Sequence, residues 1–291
     1  MINNLQIKYE DLMLIKFEKF SGAGNDFVIV QNSNFNLEPS LIQKICDRHF
    51  GIGADGLLLI GESNKADFSL KYFNSDGTGD VLCVNGARCA VLFAFQKGLC
   101  DRECSFEFIN QIFRAEIMDE SNVRLFIDYS PIIQLNKDIE FLSKKLLTHL
   151  VDIKAKHLII YWDSFCSVFS SIVKESDFEI FDINYFGRLL RNHPEFLPDG
   201  VNVNFIKQVE ENTIRVRTYE RGVEAETLAC GSGSIASSII FYLTQKINPP
   251  IKVITTSKKI FQIDFAERNG LFLGASIKGH AQKIFEGLIE L

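Results

Sequence analysis

Two segments of this 291-residue chain, YFNSDGTGDVLCVNGARCA and TYERGVEAETLACGSGSIAS, follow one local plan, and one lies in each half. Each runs from an aromatic-bearing strand to a polar residue, Asn74 or Glu220. A Gly-bearing acidic loop then leads to a cysteine, Cys83 or Cys230, and a helix of small residues follows. The spacings from polar residue to cysteine are nearly equal, so the halves read as copies of one unit. At roughly 150 residues per domain, the length gives the same count of two. A helix start presents unpaired N–H groups and partial positive charge, which lower a thiol pKa from about 8.5 and also attract a carboxylate. Two such starts facing each other would hold one anionic substrate between two thiols.

Composition narrows the function class. Apolar residues at 46%, charged residues at 23% and 26 Phe describe a globular chain with well-filled cores. A net charge of −6 argues against a nucleic-acid surface, which needs clustered Lys and Arg. Seven cysteines, an odd number without framework spacing, suit a reducing cytoplasm. Cys100 and Cys104 have no second pair beside them, so no metal site is expected. The ordinary reading of a buried cysteine, a small core hydrophobe, is assigned to Cys46, Cys89, Cys100 and Cys104. The N-terminus has acids within its apolar run and no secretory pattern, and no run is long enough to span a membrane.

Residues 1–13 read as an extension before a first strand starting near Leu14. A helix is expected over residues 40–50 with Ser40 as N-cap, and another from about Gly86 to Lys97, with Gly98 just past its end. Pro131 marks the domain boundary, giving one domain from 14–131 plus 277–291 and a second from 132–276. The second half is expected to hold strands near 157–162 and 167–172, a helix near 183–193, two further strands, and a helix from Gly231 to about Lys246. The final strand is placed back on the first domain's sheet. Strand-rich halves joined mainly by short turns, each with one central helix, indicate an α+β fold.

Two further motifs have bland alternatives. SGAGNDF, residues 21–27, is either a hairpin turn or a turn that aims Asn25 into a pocket; it lacks the third glycine and helix of a dinucleotide fingerprint. Glu220-Arg221 is either a surface pair or a carboxylate for an ammonium beside a clamp for a carboxylate, which suits an amino-acid substrate.

Taken together, FSGAGNDFVIV, DRHFGIGADGLLLI, FNSDG with CxNGARC, NVNF, and YERG followed by ETLACGSG resemble the diaminopimelate epimerase family. The resemblance implies two pseudo-symmetric domains, each a curved, mostly antiparallel sheet around a central helix, with an active site in the interdomain cleft. It implies catalysis by Cys83 and Cys230 without a cofactor or metal. Substrate binding then falls to Asn25, Asn74, Asn202, Glu220 and Arg221, with backbone donors at Val84, Asn85, Gly231 and Ser232. The implied reaction interconverts LL- and meso-diaminopimelate, a step in lysine and peptidoglycan-precursor synthesis. The implied partner is a small amino acid, with neither nucleic acid nor membrane, and a homodimer is compatible with it.

Three departures bear on substrate range. Val84 replaces the glycine usual after the first cysteine. The loop between Arg221 and Glu226 is one residue longer than the commonest form. The Asn-Pro-His signature of the second domain is missing, and its expected equivalent is DSFCSVF, with Ser164, Phe165 and Cys166 at the three positions. The alternatives are a racemase of the same fold for another amino acid such as glutamate, and a non-catalytic amino-acid-binding protein.

Overall fold

A computed structural model describes residues 8–9, 12–31, 37–79, 82–128, 130–269 and 271–290. The chain divides into two compact units, Met1–Leu125 with Gly279–Leu291, and Phe126–Lys278. The division falls inside a strand instead of at Pro131, because that strand continues past Leu125 to Ile127.

The first unit contains β1 (Lys8–Tyr9), β2 (Leu12–Gly22), β3 (Asn25–Gln31), α1 (Pro39–Cys46), β4 (Gly56–Gly61), β5 (Phe68–Asn74), α2 (Val84–Gln96), β6 (Glu103–Phe108), β7 (Gln111–Ile117) and the start of β8 (Asn122–Ile127). The strand pairing alternates: β2–β3 antiparallel, β3–β4 parallel, β4–β5 antiparallel, β5–β6 parallel, β6–β7 antiparallel. Helix α2 is buried without interruption from Asn85 to Ala94 and touches β2, β3, β4, β5 and β7. A helix apolar all round needs cover on every side. The sheet supplies it by curving around α2.

The second unit contains β9 (Ile132–Phe141), β10 (Lys144–Asp152), β11 (Lys156–Tyr161), α3 (Trp162–Val168), α4 (Ile183–Arg191), β12 (Asn202–Glu210), β13 (Thr213–Glu220), β14 (Ala225–Thr227), α5 (Gly231–Gln245), β15 (Ile251–Ile254), β16 (Ile260–Arg268) and most of β17 (Leu271–His280). Its pairing repeats the sequence of the first unit: β10–β11 antiparallel, β11–β12 parallel, β12–β13 antiparallel, β13–β15 parallel, β15–β16 antiparallel. Helix α5, buried from Gly233 to Phe241, touches β10, β11, β12, β13, β15 and β16. The final strand, β18 (Gln282–Glu290), belongs to the first unit and pairs antiparallel with β2. The fold is α+β and pseudo-symmetric, each half a curved sheet around one helix.

Four local expectations are corrected. Helix α1 begins at Pro39 and is capped at Glu38, so Ser40 lies inside it. Proline has no N–H to lose in the first turn and its φ is already helical. The helix stops at Cys46, where the Asp47 carboxylate takes the N–H groups of His49 and Phe50. The strand expected over 167–172 is absent, because Trp162, Phe165, Cys166 and Phe169 are buried at helical spacing and belong to α3 and its C-cap. The first long strand starts at Leu12 and pairs through Leu12 and Met13 with Lys8–Tyr9, within the segment expected to be an extension. Residues 1–7, 10 and 11 of that segment lie outside the described residues.

Candidate active site

Each central helix starts on a cysteine. Cys83 is the N-cap of α2, extended at φ −80° and ψ 108°, and its Sγ accepts the Gly86 N–H at 3.5 Å. Cys230 is the N-cap of α5, at φ −110° and ψ 113°, and its Sγ accepts the Gly233 N–H at 3.4 Å. A Ser or Asp oxygen takes this position at an ordinary cap. A sulfur placed there meets an N–H donor and the positive end of a helix, both of which stabilise negative charge on it. Val84 and Asn85, and likewise Gly231 and Ser232, occupy the turn whose N–H groups the helix itself cannot pair.

In the first unit, Asn25 reaches Cys83. The β2–β3 hairpin closes through a two-residue turn, Ala23-Gly24, with φ of 60° and 98°, as the twist of a tight hairpin demands. Gly22 lets this hairpin lie against α2, because a Cβ there would stand 2.7 Å from the Asn85 carbonyl oxygen. Asn25 Oδ1 thus accepts from Cys83 Sγ at 3.6 Å and from Asn85 Nδ2 at 3.4 Å. Asn25 Nδ2 donates to Asp55 Oδ2 at 2.6 Å, and Arg88 Nη2 donates to Asn85 Oδ1 at 2.6 Å. Asn74 is held in its own turn: Tyr72 donates to its Oδ1 at 2.5 Å and its Nδ2 donates to Thr78 Oγ1 at 3.0 Å.

In the second unit, Glu220 ends β13, accepts from Thr227 Oγ1 at 2.9 Å and bonds to Cys230. Burial, and next the Glu220 carboxylate, push the Cys230 thiol well above its ordinary range, against the opposing pull of Ser232 and the Gly233 N–H. Asn202 Oδ1 accepts the Arg221 N–H at 2.9 Å and its Nδ2 donates to the Lys156 carbonyl at 3.1 Å. Its amide therefore fixes the turn that carries Arg221, whose side chain is exposed. Gly233 has no alternative residue at this spacing: a Cβ would lie 2.3 Å from Asn204 Oδ1.

Behind Cys230 lies a buried polar group that inspection of the sequence missed. Asn204 Nδ2 faces the Leu158 carbonyl at 3.3 Å, which can only accept, and His157 Nδ1 at 3.2 Å; Asn204 Oδ1 accepts from Thr218 Oγ1 at 2.9 Å. The carbonyl fixes the amide, so Nδ1 of His157 is the acceptor and the ring proton sits on Nε2. His157 is fully buried, which, with a smaller contribution from the Arg221 charge, lowers its pKa to about 3. The ring is neutral at physiological pH. Its Nε2 has no hydrogen-bond partner among the described residues.

The remaining cysteines are passive in this geometry. Burial raises Cys46 and Cys166 to about 11 and Cys89 well above the ordinary range. Cys100 departs from the expected core role: it is half-exposed in the turn after α2 and shares a hydrogen bond with Cys104. No group of three His, Cys, Asp or Glu side chains among the described residues is arranged to hold a metal, and no described helix is long and apolar enough to cross a membrane.

A family model described as diaminopimelate epimerase matches residues 17–128 and 170–274. The chain belongs to the diaminopimelate epimerase family. A diaminopimelate epimerase of Aquifex aeolicus (strain VF5) is 35% identical over 288 residues, covering 94% of this chain and 97% of its own length. That of Hydrogenobaculum sp. (strain Y04AAS1) is 34% identical, with 93% and 97% covered. The fold is shared with a hydroxyproline epimerase from Agrobacterium vitis at a TM-score of 0.70 and 12% identity, covering 98% of this chain and 94% of that one.

The stretch between residues 128 and 170, outside the family match, contains the expected site residue Ser164. Ser164 lies in α3, where its carbonyl accepts from Ser167 Oγ at 2.8 Å. Phe27 pairs with Gly56 in the first unit as His157 pairs with Asn202 in the second. Asn25-Asp26-Phe27 therefore correspond to Ala155-Lys156-His157.

Proposed function

We propose that this chain epimerises diaminopimelate between its LL and meso forms by a cofactor-independent, two-thiol proton transfer. The observation that carries the reading is the repeated N-cap cysteine, one on each central helix, in a chain of this family. Inverting an α-carbon requires one group to remove a proton and another to return one to the opposite face. Each unit supplies one such group, at a helix start able to stabilise a thiolate.

The remaining roles follow from chemistry. N–H groups at the helix starts, Val84 and Asn85 or Gly231 and Ser232, suit the carboxylate of the reacting centre and the charge that develops on it as the proton leaves. A well-aimed donor of this kind contributes on the order of 3 kcal/mol. His157 Nε2–H is a neutral donor in a dry environment, suited to the same growing charge. Arg221, exposed on a turn held by Asn202, suits a distal carboxylate, and Glu220 suits an ammonium. Glu220 also favours a protonated Cys230, which suits Cys230 as the acid and Cys83 as the base for one enantiomer, the two roles exchanging for the other.

The direct test is proton NMR in D2O with purified protein and no added cofactor. LL-diaminopimelate should gain deuterium at one α-carbon as the meso form appears. Reduced, folded protein that leaves the α-proton unexchanged would overturn the assignment.

A further inference from the structure

The amide beside Cys83 can face it with an oxygen, which favours the protonated thiol, or with an NH2, which favours the thiolate. An isolated Asn has no reason to keep one face forward. Here Asn25 is the second member of a four-residue chain: Asp55 Oδ2 accepts from Asn25 Nδ2 at 2.6 Å, Asn25 Oδ1 from Asn85 Nδ2 at 3.4 Å, and Asn85 Oδ1 from Arg88 Nη2 at 2.6 Å. A carboxylate only accepts and a guanidinium only donates. With an obligate acceptor at one end and an obligate donor at the other, both intervening amides have one permitted orientation.

We propose that Asp55 and Arg88 are positioning residues that lock the polarity of the Asn25–Asn85 amide pair, so that an oxygen and never an NH2 faces Cys83. The inference rests on the epimerase reading for its effect on turnover, but its effect on Cys83 can be measured without turnover.

Both ends are themselves fixed. Arg48 Nη2 holds Asp55 Oδ1 at 2.7 Å, and the Asp26 N–H reaches Asp55 Oδ2 at 3.1 Å. Arg88 is wholly buried in α2. Burial lowers it to about 10, still above physiological pH, so it remains a donor. Burying a guanidinium is costly, and packing alone would be served as well by an apolar residue of similar volume. An acceptor held at Cys83 has a clear use in a proton-transfer cycle. It hydrogen-bonds the thiol after Cys83 has taken the proton, and so steadies the S–H for its return.

The test uses the full chain with Asp55→Ala, Arg88→Met and Arg88→Lys, each first checked for folding by circular dichroism. With both ends present an inverted pair meets two like-facing contacts; removing one end leaves a single such contact, so the inverted pair, with Asn25 Nδ2 towards the thiolate, becomes populated. In Asp55→Ala and Arg88→Met, kcat should fall roughly tenfold to a hundredfold, with a much smaller change in KM. At the same time iodoacetamide should alkylate Cys83 several-fold faster at neutral pH in Asp55→Ala, and less so in Arg88→Met, where loss of the Arg88 charge opposes the thiolate, with Cys230 within twofold of the parent in both, as read by peptide mass spectrometry. Arg88→Lys, which keeps a donor, should recover most of both properties. Should Asp55→Ala not fold, Arg88→Met decides, since a buried charge replaced by an isostere commonly leaves stability intact. Turnover and Cys83 alkylation both near the parent's in a folded variant would overturn the proposal. So would equal acceleration at Cys83 and Cys230, which marks general loosening. A parent that alkylates in this pattern but turns over no diaminopimelate would refute the epimerase reading alone.

Discussion

The Cys83 and Cys230 half-sites share one backbone arrangement and differ in the side chains bonded to the sulfur. Both sulfurs cap a central helix at the same position and accept the same N–H at nearly the same distance. Cys83 donates to the Asn25 amide oxygen, which also accepts from Asn85, and Arg88 donates to Asn85. Cys230 is more deeply buried and bonded to the Glu220 carboxylate. Duplication thus reproduced one N-capped cysteine on each central helix, and divergence around it gave the two sulfurs different partners, an amide oxygen for Cys83 and a carboxylate for Cys230.

The largest expected effect treats the two copies as equally indispensable. Cys83→Ala and Cys230→Ala should each lower epimerisation in both directions by about 10³-fold or more, since each removes one of two proton carriers. A stopped circular-dichroism or NMR assay would show this, and near-parental rates in both variants would end the two-thiol account. His157→Ala should cost roughly tenfold to a hundredfold in kcat as a lost donor. Ser164→Ala, at the position first expected from the sequence, should stay within about twofold. The reverse pattern would return the site to α3.

The carboxylate beside Cys230 is probed by Glu220→Gln. Removing an anion beside a thiol favours its thiolate, so alkylation of Cys230 at pH 8 should rise about tenfold while that of Cys83 stays within twofold. A Cys230 alkylated no faster in Glu220→Gln than in the parent would contradict the influence of this carboxylate. The smallest effect concerns stability in the first unit. Burial of Asp26 would raise its pKa, but hydrogen bonds and charges from Arg48 and Lys19 outweigh this and take it down to about 2. A carboxyl whose folded pKa is depressed stabilises the fold above its unfolded value, and that contribution is lost as pH falls through the folded one. Thermal unfolding should therefore reveal a loss on the order of 2 kcal/mol between about pH 4 and pH 2, absent in Asp26→Asn.

Much of the site was legible because its signals are local. Cys83, Asn85, Cys230, Gly231 and Ser232 sit at helix starts that small residues and capping chemistry announce. Strands β4, β5, β12 and β13 were readable from alternation or continuous apolar runs. Within the segment from Ile132 to Val173, only β11 was. Strand β9 carries so many exposed polar residues that its alternation is weak, and α3 is so short that its helical period covers two turns. His157 escaped notice for the same reason: without the strand register it is one His in a run of Lys and apolar residues.

The sequence by itself determined the duplicated plan, the α+β class and the two cysteines, since periodicity, glycine placement and capping act over a few residues. Tertiary structure alone decided which side chains gather around them. Asp55 is brought to Asn25 by a parallel strand pair, Asn204 to His157 by another, and Glu220 to Cys230 by the turn after β13. The polarity of an amide or the proton affinity of a thiol depends on partners 10 to 60 residues away in sequence. Strand register brings those partners within 4 Å, and no local pattern in the chain encodes it.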